Sequence, residues 1–202
     1  MNMQIPLSHT LTTRHLNRVF DNTVATYKYY WFLGILDACV KQGKSRINVW
    51  DIMISMVANA WYPVNYFRLS FGKSESLYDA IITLQREYNI PINISINELT
   101  ELLQTLIQRR EVRRLLNFLQ MNVPFRFLRP WIDTSDDRQT VLRSQTFENG
   151  CLYKLEKIDR IWWVEINPAW LPYLRENYDI LTSFAYWGLT NFLQVRNPNV
   201  PN

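Results

Sequence analysis

The sequence predicts a mainly α protein, a multi-helix bundle with a small β-hairpin in its C-terminal third. First, residues 26–37 form a helix-favouring run that is aromatic almost all round, so it is expected to be buried on nearly every side. Second, several later segments repeat apolar residues at spacings of three and four, the period of one helical face. Third, residues 151–157 and 161–166 are rich in aromatic and β-branched residues and flank a three-residue turn, which is typical of a hairpin.

Side chains at the helix ends predict where the first helices begin and stop. Asp21, Asn22 and Thr23 offer oxygens that are expected to cap the aromatic helix, which should end near Gly43. Apolar spacing predicts a second core helix over residues 49–62, and Pro63 is expected to stop it because proline has no amide hydrogen to donate.

Similar signals continue along the chain. Ser74 precedes a helix predicted over residues 75–88, and Ser95 with Glu98 has the spacing of a capping box that opens the next helix. Periodicity does not decide between helix and strand over residues 141–147. Asp179 is expected to cap a last helix over residues 180–195.

Length and composition favour one folded body. A chain of 202 residues can bury a sizeable core, and only five Gly argue against long disordered linkers. We expect residues 1–130 to form a helical core and residues 131–202, with the hairpin and the C-terminal helices, to pack on that same body. Eight Trp, eleven Tyr and ten Phe exceed what a solvated exterior carries, so some rings are expected to face a partner.

Cysteine use and hydropathy bear on the compartment. Cys39 and Cys151 lie far apart without a spacing signature, and a domain of this size needs no disulfide, so a reducing cytoplasm is the predicted setting. The longest strongly apolar run, residues 29–36, is eight residues long, whereas a membrane span needs about 20. No membrane association is therefore predicted.

No familiar catalytic centre can be assembled from the sequence. His9 and His15 are the only histidines, and neither has a cysteine or carboxylate at zinc-ligand spacing, so no metal site and no cofactor are predicted for this chain. Metal-dependent nucleases often place an acidic residue two before a lysine, and none of the six lysines meets that condition. Whether the chain is an enzyme stays open.

The most functional-looking feature is an Arg-rich stretch that starts at Gln108. Residues 105–130 contain six Arg and one Glu, a net charge of +5, against +4 for the whole chain. On a helix, residues four apart share a face, so the predicted nucleic-acid-binding residues include two adjacent columns of guanidinium groups. The candidate residues are Arg109, Arg110, Arg113, Arg114, Arg126 and Arg129.

Two interpretations of these arginines stay open. They can form a solvated helix face whose charges pair with acidic residues elsewhere. Alternatively, they form a surface that contacts the phosphate backbone of DNA without reading its sequence, which would offset the repulsion between stacked like charges.

A family resemblance favours the second interpretation. Residues 20–33, FDNTVATYKYYWFL, resemble the opening of a group of bacterial HNH endonucleases in which a helical region of this length precedes the nuclease module. Residues 171–174, LPYL, with 187–193, WGLTNFL, and 196–202, RNPNVPN, are similar to the junction towards that module. The resemblance spans nearly the whole chain and implies DNA or partner binding, with a role in defence against foreign DNA.

The catalytic residues of that family cannot be placed on this sequence. An HNH module uses histidines to activate water and hold a metal, and no histidine follows His15. The divalent metal would thus belong to a missing HNH module. The resemblance implies either the amino-terminal portion of a longer nuclease or a relative that has lost this module or receives it from another chain.

The sequence therefore leads to one preferred function and two alternatives. The preferred one is a DNA-engaging or accessory helical region of an HNH-type endonuclease. An interaction module would instead dock a protein partner, or a second copy of itself, through exposed aromatic residues. A self-contained enzyme is the third.

Overall fold

The protein is a helical bundle that carries a small antiparallel sheet, as the sequence predicts. The computed structural model describes residues 4–21, 23–72 and 75–199. The helices are α1 (Arg14–Arg18), α2 (Tyr27–Leu36), α3 (Val49–Asn65), α4 (Ser76–Glu87), α5 (Ile96–Leu106), α6 (Arg110–Gln120), α7 (Val123–Leu128), α8 (Asp137–Ser144), α9 (Trp170–Glu176) and α10 (Tyr178–Arg196). The strands are β1 (Arg46–Asn48), β2 (Tyr153–Ile158) and β3 (Ile161–Ile166).

Helix α2 is the centre of the core, as its aromatic composition predicts. Tyr30, Trp31 and Phe32 are fully buried, because α3, α7 and α10 pack around this helix. A π-helical turn, Asp37–Lys41, continues α2, and Gly43 follows with a positive φ of 66°. The predicted end near Gly43 is thus confirmed.

The predicted cap of α2 is wrong. The helix begins at Tyr27 and has no side-chain cap, and the Thr23 hydroxyl donates to the Phe20 carbonyl over 2.7 Å. Thr26 precedes the first turn, but its hydroxyl donates to Glu75 over 2.8 Å. Asn22 lies outside the described residues.

Helix α3 passes through the proline that was expected to stop it. Pro63 lies inside α3, which ends at Asn65. Proline removes one helical hydrogen bond, and here that loss falls in the last turn, where two tertiary bonds hold the helix. Trp61 Nε1 donates to the Ile92 carbonyl over 3.3 Å, and the Tyr62 hydroxyl donates to the Ile94 carbonyl over 2.9 Å.

Side-chain caps explain the starts of α5 and α8. The capping box of Ser95 and Glu98 is present at α5, as predicted. In the region that periodicity left undecided, the Asp136 carboxylate accepts from the Arg138 amide and opens α8. The expected cap by Asp179 is wrong, because α10 begins at Tyr178, two residues before the predicted start, and Asp179 lies within its first turn. Ser74 lies outside the described residues.

The predicted hairpin is present and gains a third strand. Strands β2 and β3 pair in register, and β1 pairs antiparallel with the other edge of β3. Ile47, Val164 and Leu155 form one row across the three strands, and all are fully buried. One cluster of buried apolar side chains includes residues from both 1–130 and 131–202.

Candidate nucleic-acid interface

Helix α6 carries the predicted basic segment on the outside of the bundle. Its inner face holds Val112, Leu116 and Leu119, each only 1% exposed, against α3, α4 and α7. Arg110 and Arg114 lie on the exposed side, one helical turn apart. The apolar spacing thus fixes the orientation of α6 and directs these two guanidinium groups outward.

Two of the other arginines are held against the protein. Arg109 precedes α6 with an extended backbone, and its guanidinium group lies 5.4 Å from the centre of the Tyr88 ring. Arg113 is half-buried; its Nε donates to the Ile107 carbonyl over 2.8 Å, and a terminal nitrogen donates to Gln108 over 3.1 Å. Of the two expected columns, only the one formed by Arg110 and Arg114 therefore lies within the helix and faces solvent freely.

The segment that includes α6 carries an excess of positive charge, since residues 105–130 contain six Arg and only one acidic residue, Glu111. Among residues 4–21, 23–72 and 75–199, none of the six predicted arginines forms an ion pair. The described ion pairs of other arginines lie on the sheet and at α8, where Arg46 contacts Glu156 and Arg143 contacts Glu148. Arg110 and Arg114 are thus available to an external anion.

Arg126 and Arg129 belong to a separate site at the end of α7. Arg126 donates to the Tyr27 hydroxyl over 3.2 Å, and with Arg129 it lines a cavity of about 180 Å³ at the start of α2. Lys28 lines the same cavity, where its ammonium group donates to the Val19 carbonyl over 2.9 Å. The structure therefore places four of the six predicted residues on or next to α6 and two at this cavity. The exposed side of α6 with Arg110 and Arg114 is called the α6 face below.

Sequence reasoning missed Lys28 as a member of the site. It lies in the aromatic run that predicts a core helix, far in sequence from Arg126 and Arg129. Burial and the nearby charges of Arg129 and Arg126 lower the pKa of its ammonium group. No local sequence signal reports this proximity, because the packing of α7 against α2 creates it.

The exposed side of α6 also carries an aromatic residue that the sequence analysis did not single out. Phe118 is 45% exposed and lies one turn beyond Arg114, so Arg110, Arg114 and Phe118 follow one line along the helix. Their spacing of four residues is visible in the sequence. Two arginines followed by an exposed aromatic side chain suit nucleic acid, because phosphates pair with guanidinium groups and unpaired bases stack on aromatic rings.

Metal ligands, thiols and apolar helices complete the description of the site. They contain no group of three His, Cys, Asp or Glu side chains placed to hold a metal ion. Both cysteines are buried, and burial raises the pKa of each thiol to about 12, which opposes a nucleophilic role. None of the described helices is both long enough and apolar enough to cross a membrane.

Comparisons of this chain with protein-family models, with curated proteins and with solved structures found no match.

Proposed function

We propose that this protein is a DNA-engaging or accessory helical region of an HNH-type endonuclease. In this proposal the α6 face contacts the phosphate backbone of duplex DNA without reading its sequence. The observation that carries the binding role is the exposed pair Arg110 and Arg114, which form no ion pair with a described acidic residue.

Guanidinium groups on a rigid helix suit a backbone-binding role. Each can donate two parallel hydrogen bonds to phosphate oxygens, and their attraction to DNA is strengthened by the release of condensed counterions. Contacts to phosphates position a protein on the duplex but do not specify bases. The buried residues Val112 and Leu116 fix the helix from behind, so these contacts need no folding on binding.

A matched pair of double variants tests the binding role. Arg110→Gln/Arg114→Gln removes two charges from the α6 face, and we expect it to weaken duplex binding about tenfold or more at low salt. Arg160→Gln/Arg175→Gln removes two exposed charges from the hairpin turn and α9, and should leave the affinity within a factor of about two. Equal losses in both variants would reduce the effect to net charge and contradict the proposal.

The link to an HNH module rests on the resemblance alone. The metal-dependent cutting step would belong to that module, because His9 and His15 are the only histidines among residues 1–202. Sequencing the gene beyond the codon for Asn202, together with the adjacent genes, tests this link. A histidine-bearing ββα segment there supports it, and a stop codon with no such segment alongside contradicts it. We propose the reducing cytoplasm as the compartment, since both described thiols are free.

A second candidate function is protein docking through exposed aromatic residues. Tyr66 and Phe67 follow α3 and are 61% and 63% exposed, with their rings edge to face at 5.1 Å. Aromatic side chains are enriched in protein interfaces because they bury much surface with few rotatable bonds. Sedimentation of the wild-type chain and of Tyr66→Ser/Phe67→Ser separates the two functions. An assembly that the double variant disrupts, without any affinity for DNA, would favour docking.

A further inference from the structure

The cavity between α2 and α7 has an unusual charge content. Lys28, Arg126 and Arg129 are three of the seven residues that line it, and the other four carry no charge. Asp21 raises the pKa of the Lys28 ammonium group, but by less than either arginine lowers it. The lining side chains thus carry a formal charge of about +3, counting one unit for each of the three at neutral pH.

Two of these cations are held in place by the protein itself. Lys28 donates to the Val19 carbonyl, and Arg126 donates to the Tyr27 hydroxyl. An ammonium group has three donors and a guanidinium group has five, so each retains donors for a ligand. The Arg129 side chain is exposed and lines the cavity, and it forms no ion pair with the described residues.

Gathering three like charges around a half-enclosed space is unfavourable without a counterion. Burial strengthens that repulsion because water screens the charges less there. Burial lowers the pKa of the Lys28 ammonium group most, and the charges of Arg129 and Arg126 lower it further. A bound anion would remove the repulsion and satisfy the free donors.

We propose that this cavity binds one phosphate monoester group as its dianion. A volume of about 180 Å³ is below the roughly 300–1,000 Å³ of sites for drug-sized ligands, so the cavity fits a single compact group. Guanidinium forks pair with phosphate oxygens in two-point geometry, and an ammonium group adds a point charge. The phosphate can come from the end of a nucleic-acid strand or from a free small phosphate. The first source rests on the proposed DNA binding, and the second does not.

Titration calorimetry with inorganic phosphate tests the site at a pH of about 8, above the second phosphate pKa of about 6. We expect saturable binding by the full chain. Arg129→Gln should weaken it about tenfold or more, because a charge-assisted contact is lost. This variant should fold normally, since the Arg129 side chain is exposed. Arg175→Gln removes one exposed charge from α9 and should leave the affinity unchanged. Equal affinities of both variants, or no saturable binding by the wild type, would overturn the proposal.

Two further binding experiments identify where the phosphate group comes from and distinguish this site from the α6 face. Preference for a 5′-phosphorylated over a 5′-hydroxyl single strand, lost in Arg129→Gln, assigns the site to strand ends. Equal binding of the two strands, with phosphate binding still sensitive to Arg129→Gln, assigns it to a free phosphate. Arg110→Gln/Arg114→Gln should weaken duplex binding but leave the affinity for inorganic phosphate unchanged. Each site can therefore fail without the other.

Discussion

The indole N–H of Trp31 donates a hydrogen bond to the Tyr153 hydroxyl oxygen over 3.2 Å, which joins the core helix α2 to strand β2. The same hydroxyl donates to the Pro124 carbonyl over 2.7 Å, at the start of α7. Tyr153 is fully buried, so its hydroxyl bonds to the Trp31 indole N–H and the Pro124 carbonyl are shielded from solvent. One phenol thus connects the sheet to α2 and α7, the two helices that contribute Lys28 and Arg126 to the proposed phosphate site.

Removing that hydroxyl should destabilise the whole fold. Tyr153→Phe leaves the Trp31 indole N–H and the Pro124 carbonyl buried without this partner, and we expect a loss of about 3 kcal/mol in the free energy of unfolding. Urea unfolding followed by circular dichroism measures it. Tyr66→Phe is the control, because Tyr66 is 61% exposed and its change should stay within about 0.5 kcal/mol. Equal stability of both variants would show that the buried bonds contribute nothing.

Close packing of α2 on α3 should make Gly34 intolerant of a side chain. A Cβ atom there would lie 2.9 Å from Ile52 Cγ2 and 3.3 Å from the Ile52 carbonyl oxygen. We expect Gly34→Ala to cost about 1–3 kcal/mol, although alanine favours helices more than glycine. A double-mutant cycle with Ile52→Ala tests the cause, since removing Cγ2 should reduce the cost of Gly34→Ala. If the free-energy costs of Gly34→Ala and Ile52→Ala simply add in the double variant, the strain does not come from contact with the Ile52 side chain.

Stability should fall with rising pH because of Glu75. Burial raises the pKa of this carboxyl to about 7, above its ordinary 4.5, so folding favours the protonated form. The stabilisation is complete below about pH 4.5 and is lost as pH rises through about 7, a change on the order of 3 kcal/mol in the free energy of unfolding.

Glu75→Gln should remove this part of the pH profile, because glutamine does not titrate. Chemical unfolding at several pH values measures the difference, and the exposed Glu101→Gln should keep the wild-type slope. A wild-type profile that stays flat between about pH 4.5 and 7 would refute the role of Glu75.

Both thiols should resist labelling in the folded protein. Burial raises the pKa of Cys39 and of Cys151 to about 12, so almost no thiolate forms at neutral pH and a reagent has little access. We expect reaction with a thiol-specific reagent to be slow in buffer and fast in urea. Rapid native labelling of both cysteines would contradict their burial.

Local chemistry made part of the fold predictable. The capping box of Ser95 and Glu98 acts within four residues, and the hairpin follows from β-branched and aromatic content on both sides of a short turn. Tertiary contacts decided the rest. Strand β1 has three residues and exists because β3 offers a free edge, and the Thr23 side chain that was expected to cap α2 bonds to Phe20 instead.

The candidate interface was predictable to a similar degree. Charge and spacing identified Arg110 and Arg114, because the apolar residues of α6, Val112, Leu116 and Leu119, fix which side of the helix faces the core. The commitment of Arg113 to Ile107 and Gln108 depends on side-chain geometry that spacing does not reveal. Lys28 joins Arg126 only through packing of distant segments.

The most direct test of the account is the affinity of the wild-type chain for duplex DNA measured across a salt series. Backbone contacts predict that log affinity falls linearly with log salt, by nearly one unit of slope for each phosphate contacted. Arg110→Gln/Arg114→Gln should reduce that slope by about two. A slope that is the same in the wild type and this variant would contradict a DNA-binding role for the α6 face.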